Sequence, residues 1–237
     1  MKKLLSLLFL TVSLFSFGQT KETRNVGAFS KIAFRIPGKL VVKQGTPQSV
    51  VLEGDKETLE KIETDVEGRT LSIGTERRWN NWNWRDEKRI NVYVTVADIE
   101  ALSVSGSGDL VSDGQLSTAD LDLKVSGSGS IDITVNAKGQ LYTNVSGSGD
   151  LLVKGASQAV EGSVSGSGKV SLSGSFAGLV DVNVSGSGRI MASGTAQQIK
   201  ARISGSGKVL ASALEVSRCD VRISGSGDVE VNVKDAI

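Results

Sequence analysis

The chain of 237 residues contains no histidine. That absence removes the usual general base at neutral pH, the Ser-His-Asp type of triad and the commonest metal ligand. There is one cysteine, Cys219, so no disulfide can close within the chain. Charge of either sign is not in excess, with 27 Lys and Arg against 26 Asp and Glu. A near-neutral balance supplies no field for nucleic acid or for an anionic membrane surface. Aromatic residues are scarce at 5%, and all three tryptophans fall between residues 79 and 84.

Long apolar runs are missing with one exception. Met1-Lys2-Lys3 leads into a run from Leu4 to Phe17 broken only by Ser and Thr, with Ser16 and Gly18 placed like a cleavage site. A basic start, a short apolar core and small residues at its end predict a secretory signal peptide over residues 1–18. The run is short for a transmembrane helix. The expectation is an exported chain starting at Gln19, in the periplasm, at the cell surface or outside, with no integral membrane segment after cleavage.

What the sequence has in abundance is glycine, 28 residues, many of them in Ser-Gly-Ser-Gly. Seven copies start at Ser105, Ser126, Ser146, Ser165, Ser185, Ser204 and Ser224, spaced 19 to 21 residues apart. A fixed period near twenty marks one supersecondary unit stacked on copies of itself. The residue before each copy is Val104, Val125, Val145, Val164, Val184, Ile203 or Ile223. Apolar or small residues recur two and four places further upstream, and apolar ones two and four places past the last glycine. Polar residues such as Asp122, Lys124, Asp181 and Asn183 alternate with them. Period-two alternation on both sides predicts strand, corner, strand, then a looser corner that often holds glycine (Gly114, Gly155, Gly174, Gly194). The fold expected is all-β: a parallel β-helix or solenoid with two main sheets and about 20 residues per coil.

In this register Gly106 and Gly108 face the interior, where a side chain would clash, and Ser105 and Ser107 face solvent, free to bond the turn or the next coil. Cys219 falls in an apolar column and is expected as a small buried hydrophobe. Lys169, Arg189 and Lys208 stack into a basic stripe expected to be a solvated face.

Other readings of the motif fail on context. Strict apolar columns exclude a flexible linker. Gly168-Lys169-Val170 and Gly207-Lys208-Val209 lack the hydroxyl of a phosphate loop, and a strand follows. Only Asp109, Asp150 and Asp228 follow a motif copy, which is too few for a calcium-binding β-roll.

Residues 19–101 carry no repeat and read as a β-rich cap and first coils, continuous with the repeat of 102–237, so that 22–237 forms one domain. Ile32, Phe34 and Ile36, then Leu40 and Val42, then Val50 and Leu52, Leu71 and Ile73, and Ile90 to Val96 alternate as strands. One helix is predicted from Asp55 to Ile62, with Asp55 as N-cap. Between the last two strands lies Arg77-Arg78-Trp79-Asn80-Asn81-Trp82-Asn83-Trp84-Arg85. Its rings could pack on one another or on the side of the β-structure. Equally, Trp79, Trp82 and Trp84, with Asn81 and Arg85 beside them, could stack on sugar rings and bond their hydroxyls. These five are the candidate ligand-binding residues. No catalytic, cofactor-binding or metal-binding residue is predicted, because carboxylates are spread along the coils and even spacing leaves no room for a catalytic loop.

The seven Val/Ile-Ser-Gly-Ser-Gly units, the leader, Val26-Gly27-Ala28-Phe29, and the strand from Ile90 through Val92 and Tyr93 to Val94 resemble the putative auto-transporter adhesin, head GIN domain family. The resemblance covers residues 22–237. It implies a right-handed β-superhelix with Gly-Ser-Gly turns between its sheets and a role in cell adhesion. It carries over no catalytic residue. The expectation is thus an exported, non-enzymatic interaction module; the alternative is a glycan-binding protein using the Trp79–Trp84 segment. A surface glycan or protein is the expected ligand, and no nucleic acid. The chain stops soon after its seventh copy, so an open last coil is expected, able to self-associate.

Overall fold

The structure is a computed structural model, and it describes residues 20–75 and 90–234. The leader and the residues Trp79, Asn81, Trp82, Trp84 and Arg85 lie outside the described residues.

In chain order the strands are β1 (Thr20–Arg24), β2 (Lys31–Phe34), β3 (Lys39–Gln44) and β4 (Ser49–Gly54). A short helix, α1 (Lys56–Leu59), precedes β5 (Ile62–Glu67), β6 (Thr70–Thr75) and β7 (Asn91–Val96). The repeat follows as β8 (Ala101–Gly106), β9 (Asp109–Thr118), β10 (Leu121–Gly127), β11 (Ser130–Ala137), β12 (Gln140–Gly147), β13 (Asp150–Ser157) and β14 (Ala159–Gly166). Three long strands then run through the looser corner without a break: β15 (Lys169–Gly186), β16 (Arg189–Gly205) and β17 (Lys208–Gly225). The last is β18 (Asp228–Val233).

These strands make a β-solenoid of about 7 turns with roughly 20 residues per coil. Sheet A holds, in spatial order, β6, β2, β8, β10, β12, β14 and the second halves of β15, β16 and β17, all parallel. Sheet B holds β7, β3, β9, β11, β13, the first halves of β15, β16 and β17, and β18, also parallel. Each coil crosses from A to B at a Ser-Gly-Ser-Gly corner. Successive copies lie in register, Val145 opposite Val125 and Val164 in its two neighbours.

The core is the space between the sheets, filled by the columns read from the sequence. Val104, Val145, Val164 and Val184 are buried, as are Leu110, Leu151, Val170 and Ile190. Each such side chain contributes about 1.5–3 kcal/mol on full burial. Because the columns stack, every coil rests its apolar face on the next, and no coil could bury that face alone.

At the N-terminal end the winding order is not the chain order. β2 sits between β6 and β8, and β3 between β7 and β9. The coil adjoining the repeat is therefore 31–44, and the coil made by β6 and β7 lies outside it. There the ladder changes direction: β5 runs antiparallel to β6, β4 to β7 and β1 to β4. The helix is shorter than Asp55 to Ile62. Lys61 and Ile62 leave it, and Ile62 opens β5 with its side chain buried. A four-residue helix makes few internal bonds, and pairing Ile62 to Thr75 outweighs extending it. Its Leu59 is buried and packs near Gly54 and Ile90.

The corner explains its own sequence, in a way that corrects half of the expected register. The second glycine is buried in the first six copies and half-buried in the seventh, and a Cβ on Gly168 would lie 2.5 Å from the Gly149 carbonyl oxygen and 2.6 Å from Val145 Cγ1. The first glycine does not face the interior. Gly106 is exposed and has φ +95, and its counterparts repeat that positive φ, for example Gly127 at +111 and Gly166 at +113. The second glycine is needed for contact; the first is needed for backbone shape and, from the second copy on, for contact too, a Cβ on Gly127 lying 2.7 Å from the Gly106 carbonyl oxygen. The corner's hydrogen bonds pass from backbone to backbone, with Ser148 N–H donating to Gly127 and Asp150 N–H to Gly129. The corner serines lie on the outer side.

Candidate functional site

A solenoid exposes its two sheets as long flanks, so the outward columns are where a ligand can be met. On sheet B the residue three places past each corner forms one unbroken row. From Val51 it passes through Tyr93, Val41, Val111, Asp132, Leu152, Ser171, Met191 and Leu210 to Glu230, each opposite the next in register. Seven of the ten are apolar or aromatic although they point away from the core. From Val51 to Leu210 the row spans about 38 Å at ~4.8 Å per strand. Asp132 and Glu230 are exposed, as is Tyr93 at 38%, and the other seven side chains of the row are half-buried.

Charge rims the row. On the corner side stand Lys39, Asp109, Asp150, Lys169, Arg189, Lys208 and Asp228, and on the other Lys43 and Lys154. The expected basic stripe forms, with Lys169, Arg189 and Lys208 consecutive in register, and an aspartate bounds it at each end. Lys169 pairs with Asp150 at 3.7 Å and Lys208 with Asp228 at 2.7 Å. Exposed pairs of this kind add little stability and mainly fix which charge faces outward. At the cap end, Tyr93 donates its hydroxyl proton to Glu53 at 2.8 Å, while Lys21 lies over its ring at 5.8 Å. The bond to the Glu53 carboxylate holds the Tyr93 phenol above its ordinary pKa.

Sheet A's outer flank is more polar. Asp122, Lys124, Tyr142, Asn144, Glu161 and Ser163 line a shallow recess of about 200 Å³. Asp181 and Arg202 form a two-pronged ion pair further along, at 2.7 and 3.4 Å. A larger recess of about 470 Å³ lies beside residues 23–28, Gln48 and Ser49. Its ionisable member, Arg24, donates to the Leu59 carbonyl at 2.7 Å and to Glu22 at 3.2 Å. Among the described residues no group of three His, Cys, Asp or Glu could hold a metal ion. No helix among them is long and apolar enough to cross a membrane.

Cys219 corrects a sequence expectation. It stands in the inward column but is only half-buried, because its strand is the last of sheet A and no further coil lies on it among the described residues. Partial burial, reinforced by the neighbouring Asp220 carboxylate, pushes the thiol's pKa up, so it is a poor nucleophile at neutral pH.

Sequence reasoning located the inward columns and missed the outward one. The signal was present, since Val111, Leu152, Met191 and Leu210 share one repeat position. It becomes a continuous surface only when Val41, Tyr93 and Val51, which lie outside the repeat, are placed in the same row by the structure.

The described residues thus form a parallel β-solenoid, capped at its N-terminal end, with a mixed apolar and charged flank. Residues 28–191 and 163–237 match the family described as putative auto-transporter adhesin, head GIN domain, and the chain belongs to that family. Among solved structures it is similar to a putative adhesin from Bacteroides fragilis, with TM-score 0.79 and 21% identity over 90% of this chain and 97% of that one. A protein from Parabacteroides distasonis described as a putative lipid binding protein gives TM-score 0.71 and 20% identity over 92% and 98% of the two chains. A putative adhesin from the same organism gives TM-score 0.68 and 20% identity over 90% and 97%. At these identities the likeness is one of fold. No curated protein matches the chain.

Proposed function

We propose that the chain is an exported, non-enzymatic interaction module of the adhesin kind, which engages a surface protein or glycan through the outer flank of sheet B. The observation that carries this reading is the row from Val51 to Leu210. The solenoid has no packing reason to point six half-buried apolar side chains and Tyr93 outward in one line, interrupted only by Asp132 and Ser171, and apolar surface rimmed by charge is typical of interaction sites. Family membership supports the adhesin class, and the leader-like segment of residues 1–18 supports export. Absence of histidine from the sequence and the scatter of carboxylates over separate coils support a non-enzymatic role. Turnover of any polysaccharide in a reducing-end assay would overturn that part.

Beads coated with the purified chain, presented to a glycan array, to a panel of matrix and mucin proteins and to phospholipid vesicles, test the flank. The triple variant Leu152→Glu, Met191→Glu, Leu210→Glu is expected to lose at least tenfold in binding. Its melting temperature should hold within a few degrees, since these positions lie outside the core. Unchanged binding by that variant sinks the flank reading. Vesicle capture in place of the other two would align this chain with the relative described as lipid-binding.

The second reading uses Trp79, Trp82 and Trp84, with Asn81 and Arg85. What favours it is connectivity: that segment joins β6 to β7, and β7 carries Tyr93 on the same flank. Replacing the three tryptophans by alanine distinguishes the readings. Glycan binding that disappears in this variant and survives in the Leu152, Met191 and Leu210 variant belongs to the tryptophan segment.

A further inference from the structure

The two ends of the solenoid are unlike. The N-terminal end is closed by strands that reverse direction and by Leu59 of α1. At the other end the last strand of sheet A, Cys219–Gly225, and the last of sheet B, β18, have a partner on one side only among the described residues. Val221 and Ile223 are 39% and 45% exposed, whereas Val182 and Val184, two coils earlier in the same columns, are fully buried. Val229, Val231 and Val233 are half-buried. Two strand edges and the upper rim of a dry core are presented together, and an edge of this kind is a template for another strand.

We propose that this end docks onto the same end of a second copy, giving a two-fold dimer in which sheets A and B each continue antiparallel across the junction. The axis passes through Val221 in sheet A and Val231 in sheet B. This deepens the interaction-module reading, adding a self-contact distinct from the ligand flank.

Three independent features agree on that register. The first is backbone phase. Asp228 and Lys234 turn their N–H groups back to Gly207 and Val216, at 3.1 and 2.9 Å. Alternation along the strand then points the N–H and C=O of Val229, Val231 and Val233 outward. In sheet A, Asp122, four residues before its motif copy, turns its N–H back to Glu100 at 3.0 Å. Asp220 holds the same place in the seventh copy, so Cys219, Val221 and Ile223 present their backbone groups outward. Antiparallel pairing about Val221 and about Val231 then matches outward residue with outward residue on both strands.

The second feature is charge. About Val221, Asp220 faces the partner's Arg222 and Arg222 faces the partner's Asp220. About Val231, Asp228 faces the partner's Lys234 and the reverse, with Glu230 opposite the partner's Asn232. No like charges meet. The apolar residues meet as well, Ile223 with the partner's Cys219 and Val229 with the partner's Val233, closing the core across the junction.

Coil geometry supplies the third. Residues 224–227 form the corner, and Val221 and Val231 are each the second inward residue from it, three places before Ser224 and four past Gly227, so they stand across the core from one another. One two-fold axis can therefore satisfy both sheets. Head-to-tail stacking has no such solution, because the capped end offers antiparallel cap strands in place of a matching edge. The contact is isologous and closes at two copies.

Sedimentation equilibrium on the purified chain from about 1 to 200 µM tests this. The expected result is a concentration-dependent rise to twice the chain mass. Asp220→Arg brings cations face to face at two symmetric positions and should raise the dimer Kd at least tenfold. Adding Arg222→Asp restores the pairing and should bring Kd back to within about threefold of wild type. Val231→Pro removes an N–H that the monomer does not use, a place where an edge strand tolerates proline. It should abolish the dimer with far-UV dichroism unchanged. A wild-type chain that stays monomeric at 200 µM overturns the proposal, as does a dimer whose Kd ignores the charge swap. If Val231→Pro fails to fold, the charge-swap pair still decides. The Leu152, Met191 and Leu210 variant should dimerise normally, so failure of the flank and failure of the dimer are read separately.

Discussion

Val145→Asp is expected to destabilise the molecule by at least about 4 kcal/mol, and Asn144→Asp by less than about 0.5 kcal/mol, although the two positions are adjacent. Val145 is fully buried between Val125 and Val164 of the neighbouring coils, and its Cγ1 also packs against the corner at Gly168. Replacing it forfeits about 1.5–3 kcal/mol of apolar burial. It also puts a carboxyl among side chains that offer it no partner, a cost of several kcal/mol even when the group takes up a proton. Asn144 points outward and donates its amide to Ser163 Oγ at 2.7 Å. An aspartate there can accept from the same hydroxyl and stands in register with Lys124. For a chain of this size about 4 kcal/mol corresponds to roughly 8–16 °C in melting temperature. Since each coil contacts mainly its two neighbours, the damage should be regional. Hydrogen exchange should accelerate first in β10 to β14 and last in the N-terminal cap. Equal melting temperatures for the two variants would mean that the inward column has been assigned to the wrong face.

Local periodicity made the repeat legible, and only what is local. Val104, Leu110 and their counterparts could be placed inside because alternation with period two, repeated seven times, admits a single register. The position of residues 31–44 between the β6–β7 coil and the β8–β9 coil could not be read. Strand order in a parallel stack is decided by contacts between segments far apart in the chain, and Ile32 carries no mark saying whether it meets Leu71, Leu102 or both. The same limit hid the flank: Tyr93 and Leu210 become members of one surface through the fold alone. Expectation also erred where a column reaches the end of the stack. Cys219 and Val221 share the pattern of Ile199 and Ala201, yet burial is conferred by the next coil and not by the residue's own alternation. For the first glycine of each corner the alternation itself was the wrong guide. A chain turning at φ near +110 has left the strand geometry that alternation describes.

The second corner should be less forgiving than its looser sequence suggests, and Gly174→Ala tests it. Gly155, Gly174 and Gly194 stack in register where the chain bends from sheet B back toward sheet A. A Cβ at Gly174 would lie 1.7 Å from the Gly155 carbonyl oxygen and 2.7 Å from its carbon. The first of these is about half an ordinary van der Waals separation, and the obstacle is backbone held in a ladder on both sides. Relief requires moving one coil away from the other, which opens the core at Val153, Leu172 and Ala192 beneath them. The expected loss is about 3–4 kcal/mol, near the upper end for overpacking, and some 6–16 °C in melting temperature. Gly74→Ala is the control. Gly74 lies in β6 with no described residue within 4 Å of the methyl that alanine would add and no positive φ, so the substitution should leave stability unchanged or raise it by about 0.4–1 kcal/mol. A Gly174→Ala protein melting within 2 °C of wild type would show that the coils are not in contact at this corner. With both results as expected, glycine in this chain is divided between positions that set spacing between coils and positions that tolerate replacement, and at the second corner the spacing positions occupy three consecutive turns, between Val135 and Leu214.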